Sequence, residues 1–244
     1  MAEFYNIINA SLEQLPATIL EIFNLSPPPS MPPSISQLTQ KFNQVNIASI
    51  IFILIDNFDL FQVALNKPES IIHNSEAILL LNTKDAYTPN ILEKMFSGGS
   101  SSDFHLIRYL NLQKKSSYYI ARKEEIDQFA GSTPSIAIKT DTEVWVEASK
   151  FINNIDFLFM HFDGLDILTN RNLTTDQNER AVLLEKLMKR TDQWINTIIQ
   201  RIRPNTLVLI MGSKGIKQLE VKYSEEITKL ESGSVPCVFI INKK

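Results

Sequence analysis

Glycine is scarce in this 244-residue chain, at 7 residues, which argues against the glycine-rich loops that wrap nucleotide phosphates. Cysteine is scarcer still. The single thiol, Cys237, rules out an internal disulfide, and its apolar setting, Val-Pro-Cys-Val-Phe-Ile-Ile, reads as a buried structural position rather than a nucleophile. Neither sign of charge is in excess. The 24 basic residues face 27 acidic ones, a net charge of −3, and leave no broad electrostatic footprint for nucleic acid or an anionic membrane. No apolar run approaches the ~20 residues that cross a bilayer. The opening Met-Ala-Glu-Phe-Tyr-Asn has neither the basic start nor the apolar stretch of a secretory leader, so the glycosylation-type matches at Asn9, Asn24 and Asn172 read as chance. The expectation is a soluble, cytoplasmic protein with neither nucleic acid nor membrane as partner.

What the chain does have is length for one sizeable core and a regular alternation of element types. Residues 3–24 carry apolar positions at helical spacing, with Pro16 expected to divide two short helices. The segment Ser26-Pro-Pro-Pro-Ser-Met-Pro-Pro predicts an extended connector to a short helix at about 34–43. Residues 1–46 thus form a helical preface and proline-rich connector, and 47–244 the core of a single domain. Apolar runs predict strands at Ile50–Ile55, Ala77–Leu81, Ser117–Ile120, Ser135–Ile138, Phe157–His161, Thr206–Met211 and Val235–Ile241. Amphipathic stretches at about 57–66, 89–97, 103–112, 141–152 and 178–202 predict the helices between them. Strands apolar on both faces, joined by helical crossovers, mean an α/β fold: a mostly parallel sheet with helices on both faces.

In such sheets ligands gather beyond the carboxyl ends of the strands, and the polar residues collect there. Asp56 ends the first strong strand, Asp163 and Asp166 follow the fifth, Ser213 and Lys214 follow the sixth, and Thr88-Pro89 opens a helix after the second. Taken in order, Ile-Phe-Ile-Leu-Ile-Asp56, Tyr-Thr88-Pro-Asn through Phe-Ser-Gly98, Met-His-Phe-Asp-Gly-Leu-Asp166 and Leu-Val-Leu-Ile-Met-Gly-Ser-Lys-Gly215 resemble the alkaline phosphatase superfamily, in its nucleotide pyrophosphatase/phosphodiesterase-like branch. The resemblance spans roughly residues 47–243, and it is the order and spacing of the motifs that carries it. It implies an alkaline phosphatase-like core, a metal-binding aspartate at Asp56, a threonine nucleophile at Thr88 and a metal-binding motif at Asp166. Asp192 falls where the family tends to place another aspartate.

The departures from the pattern are equally specific. Asn170 stands where the Asp166 motif has histidine, Ser213 and Lys214 where the last motif has aspartate and histidine, and the chain ends without a further histidine. Four family ligands are therefore missing, and Asp56, Thr88 and Asp166 are too few to hold two ions tightly. The resemblance then implies a degenerate, catalytically inactive phosphatase-like domain that binds an unknown protein or small anionic ligand and needs no cofactor. Thr88, Asn90 and Lys214 are candidates for a residual anion pocket at a helix N-terminus. The competing reading is a phosphoesterase or phosphodiesterase with Thr88 as nucleophile and zinc or another divalent ion on Asp56, Asp163 or Asp166. A third is a protein-interaction domain using the helices at 3–24.

Each residue also has a plainer role. Thr88 before Pro89 makes an N-cap with proline at the first helical position. A buried Asp56 needs a partner, with Lys214 as candidate. His161, two residues before Asp163, is read as an ordinary hydrogen-bonded histidine ahead of a metal ligand; His73 and His105 complete the histidines. The run Ser97 to Asp103 is read as a turn, lacking the ending of a phosphate loop.

Overall fold

The computed structural model describes residues 9–84, 86–99, 104–170, 177–213 and 233–242; of residues 9, 60, 61, 169, 170 and 177 it describes the backbone alone. The chain is built round one eight-stranded sheet among the described residues. Its strands are β1 (Asn9–Ser11), β2 (Ser49–Asp56), β3 (Ala77–Asn82), β4 (Ser117–Ala121), β5 (Ser135–Ala137), β6 (Phe157–Phe162), β7 (Thr206–Ser213) and β8 (Ser234–Asn242). They lie in the order β1-β3-β8-β7-β2-β6-β4-β5. β8 runs antiparallel to β3 and β7, and the other neighbouring pairs are parallel.

β2, β6 and β7 are buried along their whole length because helices cover both faces, and this is why the sequence shows them as unbroken apolar runs. Alternate side chains divide between two cores. Ile50, Phe52 and Leu54 pack with α1 (Leu15–Ile22), α2 (Ser36–Asn43), α5 (Thr88–Ser97) and α6 (Leu106–Leu112). Ile51, Ile53 and Ile55 pack with α4 (Glu69–His73), α8 (Asp141–Phe151) and α10 (Gln177–Arg201) on the other face.

The N-terminal segment differs from expectation. Residues 9–11 form a strand pairing in parallel with Leu80–Asn82, and Pro16 sits in the first turn of α1, where its missing N–H costs nothing, instead of dividing two helices. The apolar side chains of α1 are buried in the same core as β2, so the described part of this segment does not present them as a contact surface. The stretch expected as one helix at 57–66 becomes α3 (Leu60–Asn66), which stops at Lys67 in the left-handed conformation before Pro68; α4 then follows. A short helix, α7 (Lys123–Glu125), runs into a wider turn at Ile126–Ala130, and α9 (Gly164–Asn170) follows β6; neither has a periodic signal long enough to read.

Candidate functional site

Register brings the polar residues together. β2 and β7 pair in parallel with Asp56 opposite Ser213, and β2 and β6 pair with Leu54 opposite His161, so three strand ends place their side chains in one group. The N-terminus of α5 supplies the fourth. Its N-cap is Tyr87; Thr88 is the first helical residue, and its hydroxyl serves the sheet rather than the helix end. Thr88 Oγ1 donates to Asp56 Oδ1 at 2.6 Å, Ser213 Oγ donates to the same oxygen, and the two hydroxyls lie 2.9 Å apart. The N-cap expectation for Thr88 is thus corrected: a buried carboxylate is a stronger acceptor to satisfy than a helix-end amide is a donor.

Asp56 and His161 are 6% and 5% exposed. His161 Nε2 lies 3.1 Å from Asp56 Oδ1, with its N–H out of line with that oxygen, so the contact is an ion pair rather than an aligned hydrogen bond. On its other side Nδ1 meets Glu125 Oε2 at 2.5 Å, and Tyr119 donates to Glu125 Oε1 at 2.7 Å. Burial alone would push the histidine towards its neutral form, but the Asp56 and Glu125 carboxylates outweigh it and hold the ring's pKa well above the ordinary histidine range. Burial likewise raises Asp56, and the imidazolium with the Ser213 and Thr88 hydroxyls more than offsets it, leaving the carboxyl below the usual range. Burial and the neighbouring Glu125 raise the Tyr119 phenol. The result is a line of contacts, Tyr119–Glu125–His161–Asp56, ending on the two hydroxyls.

Asp163 and Asp166 have other engagements. Asp163 forms a two-pronged pair with Arg122, Nε to Oδ2 at 2.6 Å and Nη2 to Oδ1 at 2.7 Å, and Arg122 Nη1 donates to the Lys139 carbonyl. Asp166 Oδ1 accepts from Asn57 Nδ2 at 3.0 Å. Asp192, far off in sequence, caps α4 by accepting from Ser70 N and Ile71 N. Asn90 is half-buried in the first turn of α5. His105 stacks on Phe96, and burial pushes its pKa down. Lys214 and the Asn170 side chain lie outside the described residues, as does part of the Ser97–Asp103 run. Among the described residues, the cationic partner placed beside Asp56 is His161.

Tyr119, Glu125 and Arg122 are the site residues that sequence reading missed. Glu125 lies 36 residues from His161, and no linear pattern couples them. The only signal was that Asp56 needed a cation, and a histidine at the end of a neighbouring strand can supply one.

Asp141, also unforeseen, accepts from the backbone N–H groups of Asp163 and Gly164, each at 3.1 Å. It reaches both because a Cβ on Gly164 would meet its Oδ2 at 2.3 Å. Burial first, then the Asp163 charge, push its pKa up to about 6, against those amides and His161. A carboxyl raised in the folded state stabilises below its unfolded value of 3.8, and this contribution is lost as pH rises to about 6. Asp141→Asn is therefore expected to gain on the parent between pH 4 and 7, by up to about 3 kcal/mol. Urea midpoints at both pH values check this, and parallel pH curves would contradict it.

Among the described residues, the side chains at these strand ends are engaged with one another and not arranged round two divalent ions. His161 has Asp56 on one side and Glu125 on the other, and these carboxylates favour its protonated form, which offers no lone pair to a metal. Both Asp163 oxygens are occupied by Arg122, and among the described residues no group of three His, Cys, Asp or Glu side chains is arranged to hold an ion.

The mostly parallel eight-stranded sheet with helices on both faces is an alkaline phosphatase-like α/β fold. A solved alkaline phosphatase superfamily protein from Vibrio parahaemolyticus matches 81% of this chain and 62% of its own, at 10% identity and TM-score 0.55. A 2-O GAG sulfatase matches 80% and 64%, at 10% identity and TM-score 0.56. The lipoteichoic acid synthase LtaP of Listeria monocytogenes matches 79% and 65%, at 10% identity and TM-score 0.52. The chain thus has the fold of these proteins while spanning less than two thirds of the length of each. No protein-family model and no curated protein matches its sequence. None of its helices, among the described residues, is long and apolar enough to cross a membrane.

Proposed function

We propose that this chain is a phosphatase-fold domain that works by binding, without metal-dependent hydrolysis at Thr88. The observation that carries the reading is the placement of the buried His161 ring between the Asp56 and Glu125 carboxylates, which favour its protonated form. It supplies, from the protein itself, the positive charge that a divalent ion would bring to Asp56. Among the described partners of Thr88, the acceptor that could serve as a base is Asp56. Asp56 is a carboxylate with depressed pKa already accepting from two hydroxyls, so it has little affinity for the Thr88 proton, and the hydroxyl stays a donor. The competing hydrolase reading requires His161 to leave Asp56 and a metal to enter.

The test is hydrolysis of p-nitrophenyl phosphate, bis(p-nitrophenyl) phosphate and p-nitrophenyl sulfate with Zn²⁺, Mg²⁺ or Mn²⁺, together with metal analysis after dialysis. The expected result is no turnover above that of Thr88→Ala and no stoichiometric metal. Turnover lost in Thr88→Ala would overturn the reading and make the chain a hydrolase with a reduced metal site.

A further inference from the structure

Beyond the Asp56 cluster, a cavity of about 850 Å³ opens between β6, the N-terminus of α8, α9 and α10. None of Asp56, Thr88, His161 or Ser213 lines it. Its volume lies within the several-hundred-Å³ range of small-molecule sites. An inorganic anion, a few times the ~30 Å³ share of a water, would leave most of it empty.

Two kinds of wall meet there. One is apolar: Ile167 and Leu168 from α9 face Leu183 and Leu187 from α10, and all four are only half-buried. Such side chains gain about 25 cal/mol for each Å² covered by an apolar body. The other wall is cationic. Arg122, Lys139, Lys186 and Arg190 line the cavity with only Asp141 and Asp163 as acids. Arg122 and Asp163 neutralise each other through their paired contacts. Asp141 is turned to backbone amides. That leaves Lys139, Lys186 and Arg190, none of which pairs with an acid among the described residues.

The positions follow from the sequence. Leu183, Lys186, Leu187 and Arg190 recur at intervals of three and four, one face of α10, so the same helix offers both walls. Arg190 is placed by stacking over Trp194, 4.6 Å from the ring centre.

We infer that this cavity binds a small amphipathic anion, an apolar body bearing a phosphate head, with the head against Lys139, Lys186 and Arg190 and the body along the leucine wall. The head is anionic because three cations line the cavity; the body is aliphatic or flat and apolar because Ile167, Leu168, Leu183 and Leu187 line it. Turnover at Thr88 would leave this cavity unchanged, so the two proposals fail separately.

The experiment is calorimetric titration of the whole chain with monomeric dodecyl phosphate, below its micelle concentration. Inorganic phosphate and neutral dodecyl maltoside supply the head and the tail alone. One-to-one binding is expected, with both partial ligands at least about a hundredfold weaker. The exposed pair Lys186→Glu with Arg190→Glu should weaken binding by more than about tenfold, and Leu187→Asp likewise, in variants whose melting temperatures stay near the parent's. Absent binding, equal binding by the charge-reversed variant, or inorganic phosphate binding as tightly as the amphiphile would each overturn the proposal. So would association only with phosphatidic acid vesicles and not with the monomer.

Discussion

Replacing His161 by alanine is expected to destabilise the fold by about 3–5 kcal/mol, the usual cost of leaving buried charge without its partner. Two carboxylates depend on the ring, Asp56 at 3.1 Å and Glu125 at 2.5 Å, so its loss removes a partner from both. The pH dependence carries a sharper signature. With its pKa raised, His161 contributes stability that is fully present below the ordinary value of 6.5 and is lost only as pH rises through the higher folded value. With its pKa lowered, Asp56 contributes stability present above 3.8 and lost as pH falls through the depressed folded value. The difference between parent and His161→Ala is therefore largest from about pH 4 to 6.5 and narrows on either side. His161→Gln, which restores an N–H donor without the charge, should recover only part of the loss. Urea unfolding of the three proteins across pH 4–9 measures this. A loss below about 1 kcal/mol with parallel pH curves would mean that His161 is neutral and Asp56 is satisfied by its hydroxyls alone.

A second large effect is expected from one added methyl group. Gly212 lies in β7 beside the loop that leaves β2, and a Cβ there would stand 1.7 Å from the Phe58 carbonyl oxygen. Ordinary overpacking costs about 1–3 kcal/mol because side chains find other rotamers. Here the obstructing atom is backbone, so either β7 or the Asn57–Phe58 loop must shift, and Gly212→Ala should exceed that range. The shift also moves the neighbouring Ser213 away from Asp56. Thermal melting of Gly212→Ala should show a drop of many degrees or no cooperative transition, whereas a melting temperature within a few degrees of the parent's would show that the loop yields easily.

Much of the sheet was legible because burial on both faces writes itself into sequence as unbroken apolar runs. The centres of β2, β6, β7 and β8 sit where Ile50–Ile55, Phe157–His161, Thr206–Met211 and Val235–Ile241 predict them. β1 was not legible, since Asn9-Ala-Ser carries no alternation and becomes a strand only because the edge of β3 offers free backbone groups. The direction of β8 was hidden as well, because a fully buried strand has the same composition either way.

The candidate site divides along the same line. Asp56, Thr88 and Ser213 were visible as polar residues ending or following apolar runs, and the structure joins all three on one carboxylate oxygen. The sequence alone determined that polar chemistry collects at these strand ends, because a carboxylate or hydroxyl closing a buried strand must emerge where the helices stop covering it. Which partner each group takes was decided only in three dimensions. His161 comes to Asp56 through the β2–β6 register, Glu125 comes to His161 through the turn after β4, and Arg122 takes Asp163 from the same turn. The energy of a buried charge depends on what stands within a few ångströms of it, and that distance is set by the packing of strands far apart in the chain.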